Sequence, residues 1–274
     1  MDQEALISRF NELPRIESIQ QELLNMVNSD NVNFSELSRK MSMDQVLSAR
    51  VLRMANSAQF GGAKGVSTIN EAIIRVGSGA VRALISSSVV SGVFPHLATL
   101  NIKDYWANTF EVAMIASKLA KSVRLDPNEA FTTGVLHNIG ELMIHALEPE
   151  LASQIKYRVE QGENPVAVQK ELLEIDAQEL GAKLAREWQF PEEMADAIEN
   201  VNHPGRAVEA KKLACVLFLA REIHKRWDSL FDEREKQAFL TRHPAARALS
   251  LTPDVYPQID RVRGQGVELA HQLF

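Results

Sequence analysis

Apolar residues recur along this chain at intervals of three and four, the spacing that gathers side chains on one side of an α-helix. In IESIQQELLNMVN the stripe is Ile16, Ile19, Leu23, Leu24 and Val27. In MDQVLSARVLRMAN it is Val46, Leu47, Val51 and Leu52, with Met54 alongside. Ile69, Ala72, Ile73 and Val76 repeat it in the next segment. No segment alternates strictly between apolar and polar residues, so no strand is predicted. The expected fold class is all-α.

Local start signals agree with this pattern. Asn33, with Glu36 three residues on, has the form of a capping box. Ser67 or Thr68 is placed to cap the helix that follows. Asp126, Pro127 and Glu129 combine an acidic cap, proline at the first helical position and an acid in the first turn. Connections are expected at Phe60–Val66, Phe94–Asp104, Arg124–Glu129, Glu160–Pro165, Gln189–Glu193 and Asn202–Arg206. The best candidate boundary is Pro95–Asp104, after which YWANTFEVAMIASKLAKSV begins a long helix. The organisation predicted is an N-terminal helical subdomain over 1–95, a second over 96–205, and a C-terminal helical extension over 206–274.

Composition narrows the function classes. The chain of 274 residues carries a net charge of −6 and has no basic block. Phosphate-backbone binding depends on lysine and arginine, so nucleic acid is not an expected partner. The apolar stretch Ala83–Phe94 is shorter than the ~20 residues that span a bilayer, and it contains four serines. It is read as a buried helix, with no membrane partner. The N-terminus lacks the basic and apolar regions of a signal peptide. With one cysteine, Cys215, set in an apolar helix, a cytoplasmic location is expected.

The segment with the most chemical interest is GVLHNIGEL, Gly134 to Leu142. His137 is a possible metal ligand, but Asn138 beside it offers only an amide oxygen. Glu141 lies four residues on, on the same helix face, and His145 falls two turns from His137. One histidine and one acid are too few for a hydrolytic metal centre, and a hydrogen-bonded pair is the simpler reading. His96, His203, His224, His243 and His271 have no acid at ligand spacing. FGGAKGV lacks the Gly-Lys-Ser/Thr ending of a phosphate-cradling loop, and no Gly-x-Ser-x-Gly elbow occurs. Asn56, at the end of an apolar helix, suits a C-cap or a clamp over the glycines that follow, and Ser57 has no local base. A binding role for this pair is the competing reading.

Five segments, in order, resemble the HDOD domain, the HD-related output domain of bacterial signalling proteins. They are LPRI (Leu13–Ile16), RVLRMANSAQFGG (Arg50–Gly62), VSTINEAIIRVG (Val66–Gly77), NEAFTTGVLHNIGEL (Asn128–Leu142) and ELGAKLAREWQFPEEMADAI (Glu179–Ile198). The resemblance covers about Leu13 to Pro204. It implies two packed helical subdomains, the second HD-like.

The departures from the catalytic HD pattern bear on function. By the resemblance, the early metal-binding histidine falls on Asn108 and the His-Asp pair on His137-Asn138. The lysine that often follows falls on Glu141. A later histidine falls on Ala177, and a pair of histidines on Val201 and Asn202. Only His137 survives, whereas three or more protein ligands are typical. The resemblance therefore implies no catalytic residue, no metal and no cofactor. It implies a relic pocket of Asn108, His137, Asn138, Glu141, Ala177 and Asn202 that can still take a small polar molecule. The expected function is a non-enzymatic regulatory module acting through contacts with signalling proteins. No receiver, kinase, GGDEF or EAL module lies within these residues, so its input is expected from a partner. The competing readings are a metal-dependent phosphohydrolase or phosphodiesterase and a nucleotide-binding sensor that does not hydrolyse.

Overall fold

The computed structural model describes residues 18–29, 31–57, 60, 65–94 and 97–274, apart from the side chain of residue 272. The Leu13–Ile16 opening, the Gly61-Gly62 pair and the proline at the proposed boundary lie outside these residues. Among the described residues the regular structure is helical.

The N-terminal part contains α1 (Ser18–Asn28), α2 (Phe34–Met41), α3 (Gln45–Ala55) and α4 (Ile69–Val93). Asn33 caps α2 by accepting from the Glu36 amide at 3.1 Å, and Thr68 caps α4 through the Glu71 amide at 3.3 Å. Leu23, Leu24 and Val27 are buried as the α1 stripe requires. Val46 departs from expectation. It is 58% exposed, on the solvent side of the first turn of α3, whereas Leu47 beside it is buried.

Helix α4 is longer than the apolar stretch inside it. It passes the length and composition test for a membrane-crossing helix. Gly77, at φ 82°, kinks it, and most of its C-terminal part packs against other helices. Buried Arg82 reaches out of it to the Val27 carbonyl at 3.0 Å from Nε and to Asn128 Oδ1 at 2.5 Å. That guanidinium ties α1 and α4 to the start of α6.

The second part runs through α5 (Ile102–Ser122), α6 (Pro127–Leu136), α7 (Ile139–Leu147), α8 (Pro149–Glu160), α9 (Pro165–Leu173), α10 (Ala177–Glu187) and α11 (Glu192–Glu199). Asn101 caps α5, so this helix starts a few residues before the aromatic pair from which the periodicity suggested it would begin. Helix α5 packs against α6, α12 (Lys211–Arg226) and α16 (Gln265–Leu273) and is the central element. Trp106 and Phe110 face one core cluster, which extends from Leu23 to Leu273. Ile115 and Leu119 face a second, built mainly with α12 (Lys211–Arg226).

The C-terminal part adds α12, α13 (Glu233–Arg242), α14 (Pro244–Ala248), α15 (Tyr256–Asp260) and α16 (Gln265–Leu273). Cys215 is buried within α12, and burial pushes its thiol pKa up. Buried Glu111 on α5 accepts from the Gly264 amide at 2.8 Å and the Gly266 amide at 2.9 Å, and pairs with Arg263 at 3.0 Å. This anchors α16 across α5. Phe274 then stacks on Trp106, with ring centroids 5.1 Å apart, beneath the Arg50 guanidinium of α3.

Candidate functional site

Two close helix contacts fix the floor of the site. A methyl group at Gly134 would come within 2.6 Å of the Ala113 Cα, so α6 can press directly onto α5. A methyl group at Gly140 would come 1.8 Å from the Ala177 carbonyl oxygen, so α7 crosses α10 at backbone distance. The glycines of the GVLHNIGEL segment therefore set helix spacing.

Between them the chain turns. His137 and Asn138 are the junction of α6 and α7, not the interior of one helix. The break changes the expected pairing: Glu141 Oε2 accepts from Asn138 Nδ2 at 2.6 Å rather than meeting His137. His137 is buried, and its Nδ1 lies 2.5 Å from the Gly134 carbonyl oxygen. A carbonyl can only accept, so Nδ1 carries the proton and the neutral ring keeps its lone pair on Nε2. Burial, followed by the nearby Arg221 charge, lowers the His137 pKa to about 3. Burial raises the Glu141 carboxyl pKa, opposed by the Asn138 bond and by Arg221.

Helix α12 meets this cluster from the far side. Arg221 Nη1 donates to Asn202 Oδ1 at 2.7 Å, and Asn202 Nδ2 donates to Gln178 Oε1 at 2.8 Å. His224 Nε2 is 3.2 Å from Asn108 Oδ1, and its Nδ1 is 3.1 Å from Arg263 Nη1. Arginine can only donate, so Nδ1 accepts and Nε2–H donates to the amide oxygen. Glu111, Arg263, His224 and Asn108 thus form one connected chain. Two of the residues singled out from sequence, Asn108 and Asn202, are held by α12. Buried Ala177 lies in the α7–α10 crossing. Among the described residues, no group of three or more His, Cys, Asp or Glu side chains is arranged to hold a metal ion.

Asn108, Asn138 and Glu141 also line a pocket of about 350 Å³ between α5, α7, α8 and α9. His145 is part of the same wall, its Nδ1 2.7 Å from Thr99 Oγ1. Asn56 lies away from this pocket and works as a clamp. Its Nδ2 donates to the Leu52 and Val66 carbonyls at 2.9 and 2.8 Å, and its Oδ1 accepts from the Val66 amide at 2.8 Å. Ser57 donates to the Met54 carbonyl at 2.8 Å.

Arg221, His224 and Gln178 were not singled out as site residues by the sequence reading. A faint signal exists in FLAREIHKR, where Arg221 interrupts an apolar run and His224 follows three residues later, on the same helix face.

The HDOD domain family model matches residues 13–204. A solved structure from Shewanella amazonensis SB2B, named "Putative phosphohydrolase", is 36% identical, with 98% of each chain covered and a TM-score of 0.80. An HDOD domain protein with unknown function from Geobacter sulfurreducens has the same fold at 23% identity, covering 98% of this chain and 97% of that one, with a TM-score of 0.79. A "Putative signal transduction protein" from Marinobacter aquaeolei VT8 has it at 22% identity and a TM-score of 0.78, covering 96% of this chain and 60% of that one. An uncharacterized protein of Treponema pallidum is 26% identical over 220 residues, and the matched region spans 43% of that relative's length. With the family match covering most of the chain and the Shewanella protein alike from end to end, the chain belongs to the HDOD domain family.

Proposed function

We propose that this protein is a non-enzymatic regulatory module that acts through contacts with signalling proteins. The carrying observation is the occupation of the former ligand positions by the chain's own side chains. Asn202 is taken by Arg221, Asn108 by His224, and Asn138 by Glu141. His137 keeps a neutral ring with one nitrogen committed to Gly134. This donor set does not fit a divalent ion. It offers amide groups, the His137 imidazole and one carboxylate, Glu141, already bonded to Asn138, fewer than the three or more His and carboxylate ligands of a hydrolytic site, and the nearby Arg221 guanidinium disfavours a second cation by like-charge repulsion.

A second reading, metal-dependent phosphoester hydrolysis, is favoured by the name carried by the Shewanella relative. Elemental mass spectrometry on protein purified without chelator separates the two, together with turnover of p-nitrophenyl phosphate in added Mn²⁺. The regulatory reading expects far less than one Fe, Mn, Zn, Ni or Co per chain and no turnover above buffer. One tightly held ion per chain with metal-dependent hydrolysis would replace it with the enzyme reading.

A further inference from the structure

Helix α12 presents three basic side chains to the former metal cluster. Arg221, His224 and Lys225 fall at positions i, i+3 and i+4, on one face of the helix. All three lie close enough to His137 for their charges to act on its ring. None of them belongs to the segment that the HDOD model matches, which ends at residue 204. Their role is therefore not contained in the family match.

The Arg221 guanidinium is held in place but not satisfied. Its Nη1 donates to Asn202 Oδ1, and Gln178 fixes the other end of that amide. Its Nε and Nη2 have no partner among the described residues, and neither is sealed from solvent. His137 Nε2 is likewise without a partner and open to solvent, although the side chain is 95% buried. His224 contributes no free group, because Asn108 and Arg263 take both its nitrogens. The acids facing the cluster are engaged elsewhere. Glu222 pairs with Arg226 at 3.2 Å and lies 4.0 Å from Lys225, and Glu141 holds Asn138 while burial raises its pKa. Burial, and then the neighbouring Arg221 charge, lower the Lys225 pKa. Cations crowded in this way are stabilised by an anion between them.

We propose that this cluster binds inorganic phosphate without a metal ion. Arg221 and Lys225 donate to phosphate oxygens, and His137 Nε2 accepts from the P–O–H group. The last contact sets the specificity. His137 Nδ1 carries the ring proton, so Nε2 can only accept, and its lone pair repels an oxyanion with no proton to give. The inference rests on the metal-free reading of the same cleft.

Titration calorimetry on the full chain, treated with chelator and dialysed, tests it with inorganic phosphate as the probe. At about pH 7.5 inorganic phosphate keeps a P–O–H group, whereas sulfate and the dianion of methyl phosphate have none. Phosphate is expected to bind with a Kd of about 1 mM or tighter, and sulfate and methyl phosphate at least about tenfold more weakly. Arg221→Gln and Lys225→Gln should each weaken phosphate about tenfold. Lys225→Gln changes an exposed side chain, so that variant should keep its Tm. No heat from phosphate, sulfate or methyl phosphate bound as tightly, an unchanged affinity in either variant, or binding only in added Mn²⁺ would each overturn the proposal. Those results leave the regulatory reading standing, because only bound metal with turnover defeats that.

Discussion

His137 is held neutral by burial, and this makes folding sensitive to acid. Its pKa is about 3 in the folded protein against 6.5 in an exposed chain. Between those values the unfolded state takes up a proton and the folded state does not. Stability therefore rises with pH through this window and levels off above about pH 6.5. His145, His224 and His243 are also lowered by burial and act in the same direction. Glu129 and Glu141, raised by burial, oppose them just above the ordinary carboxylate range. The Tm should fall between pH 7 and pH 5. In His137→Gln the fall should be shallower, by up to about 1.4 kcal/mol of stability per pH unit. Equal slopes for the two proteins would show that His137 titrates as an exposed histidine. A second expectation concerns chemistry. Asn138→Asp alone should give no metal-dependent phosphoesterase activity, because Asn108, Ala177 and Asn202 remain non-ligands. Measurable turnover in that variant would contradict the donor-set argument.

Among the elements, the α7–α10 crossing is the least tolerant of added volume. Gly140→Ala places a methyl carbon 1.8 Å from the Ala177 carbonyl oxygen, so the two helices must separate. A loss of about 3 kcal/mol or more is expected, read as a shift of the urea midpoint. The α3–α4 connection is held differently. Asn56→Ala removes three hydrogen bonds to backbone groups and should cost about 2 kcal/mol. The clamp role of Asn56 was foreseeable from its place between an apolar helix and a glycine-rich loop. The break at His137-Asn138 was not, because the apolar spacing of VLHNIGEL reads as continuous helix through the turn.

Across the whole molecule, Glu111 joins parts of the chain more than 150 residues apart. It satisfies two backbone amides at the start of α16 and pairs with Arg263. Glu111→Ala leaves the Gly264 and Gly266 amides without their acceptor and should lower stability by about 3 kcal/mol. The loosened α16 should also uncover Trp106, seen as a red-shifted fluorescence maximum below the unfolding transition. An unchanged emission and Tm would mean that Phe274 and the apolar face of α16 hold the C-terminus without the carboxylate.

Periodicity and caps, read without coordinates, determined the helical class and the starts of α2, α4 and α6, while five short motifs carried the resemblance to the HDOD family. These features act over a few residues, so a one-dimensional pattern contains them. The same reading located His137, Asn138 and Glu141 as neighbours. It did not supply Arg221 or His224, which reach Asn202 and Asn108 across 19 and 116 residues of chain. Nor did it supply the glycine crossing at Gly140. Such features depend on which helix faces meet and how closely. Long-range packing around α5 decides that, and the local pattern of residues does not encode it.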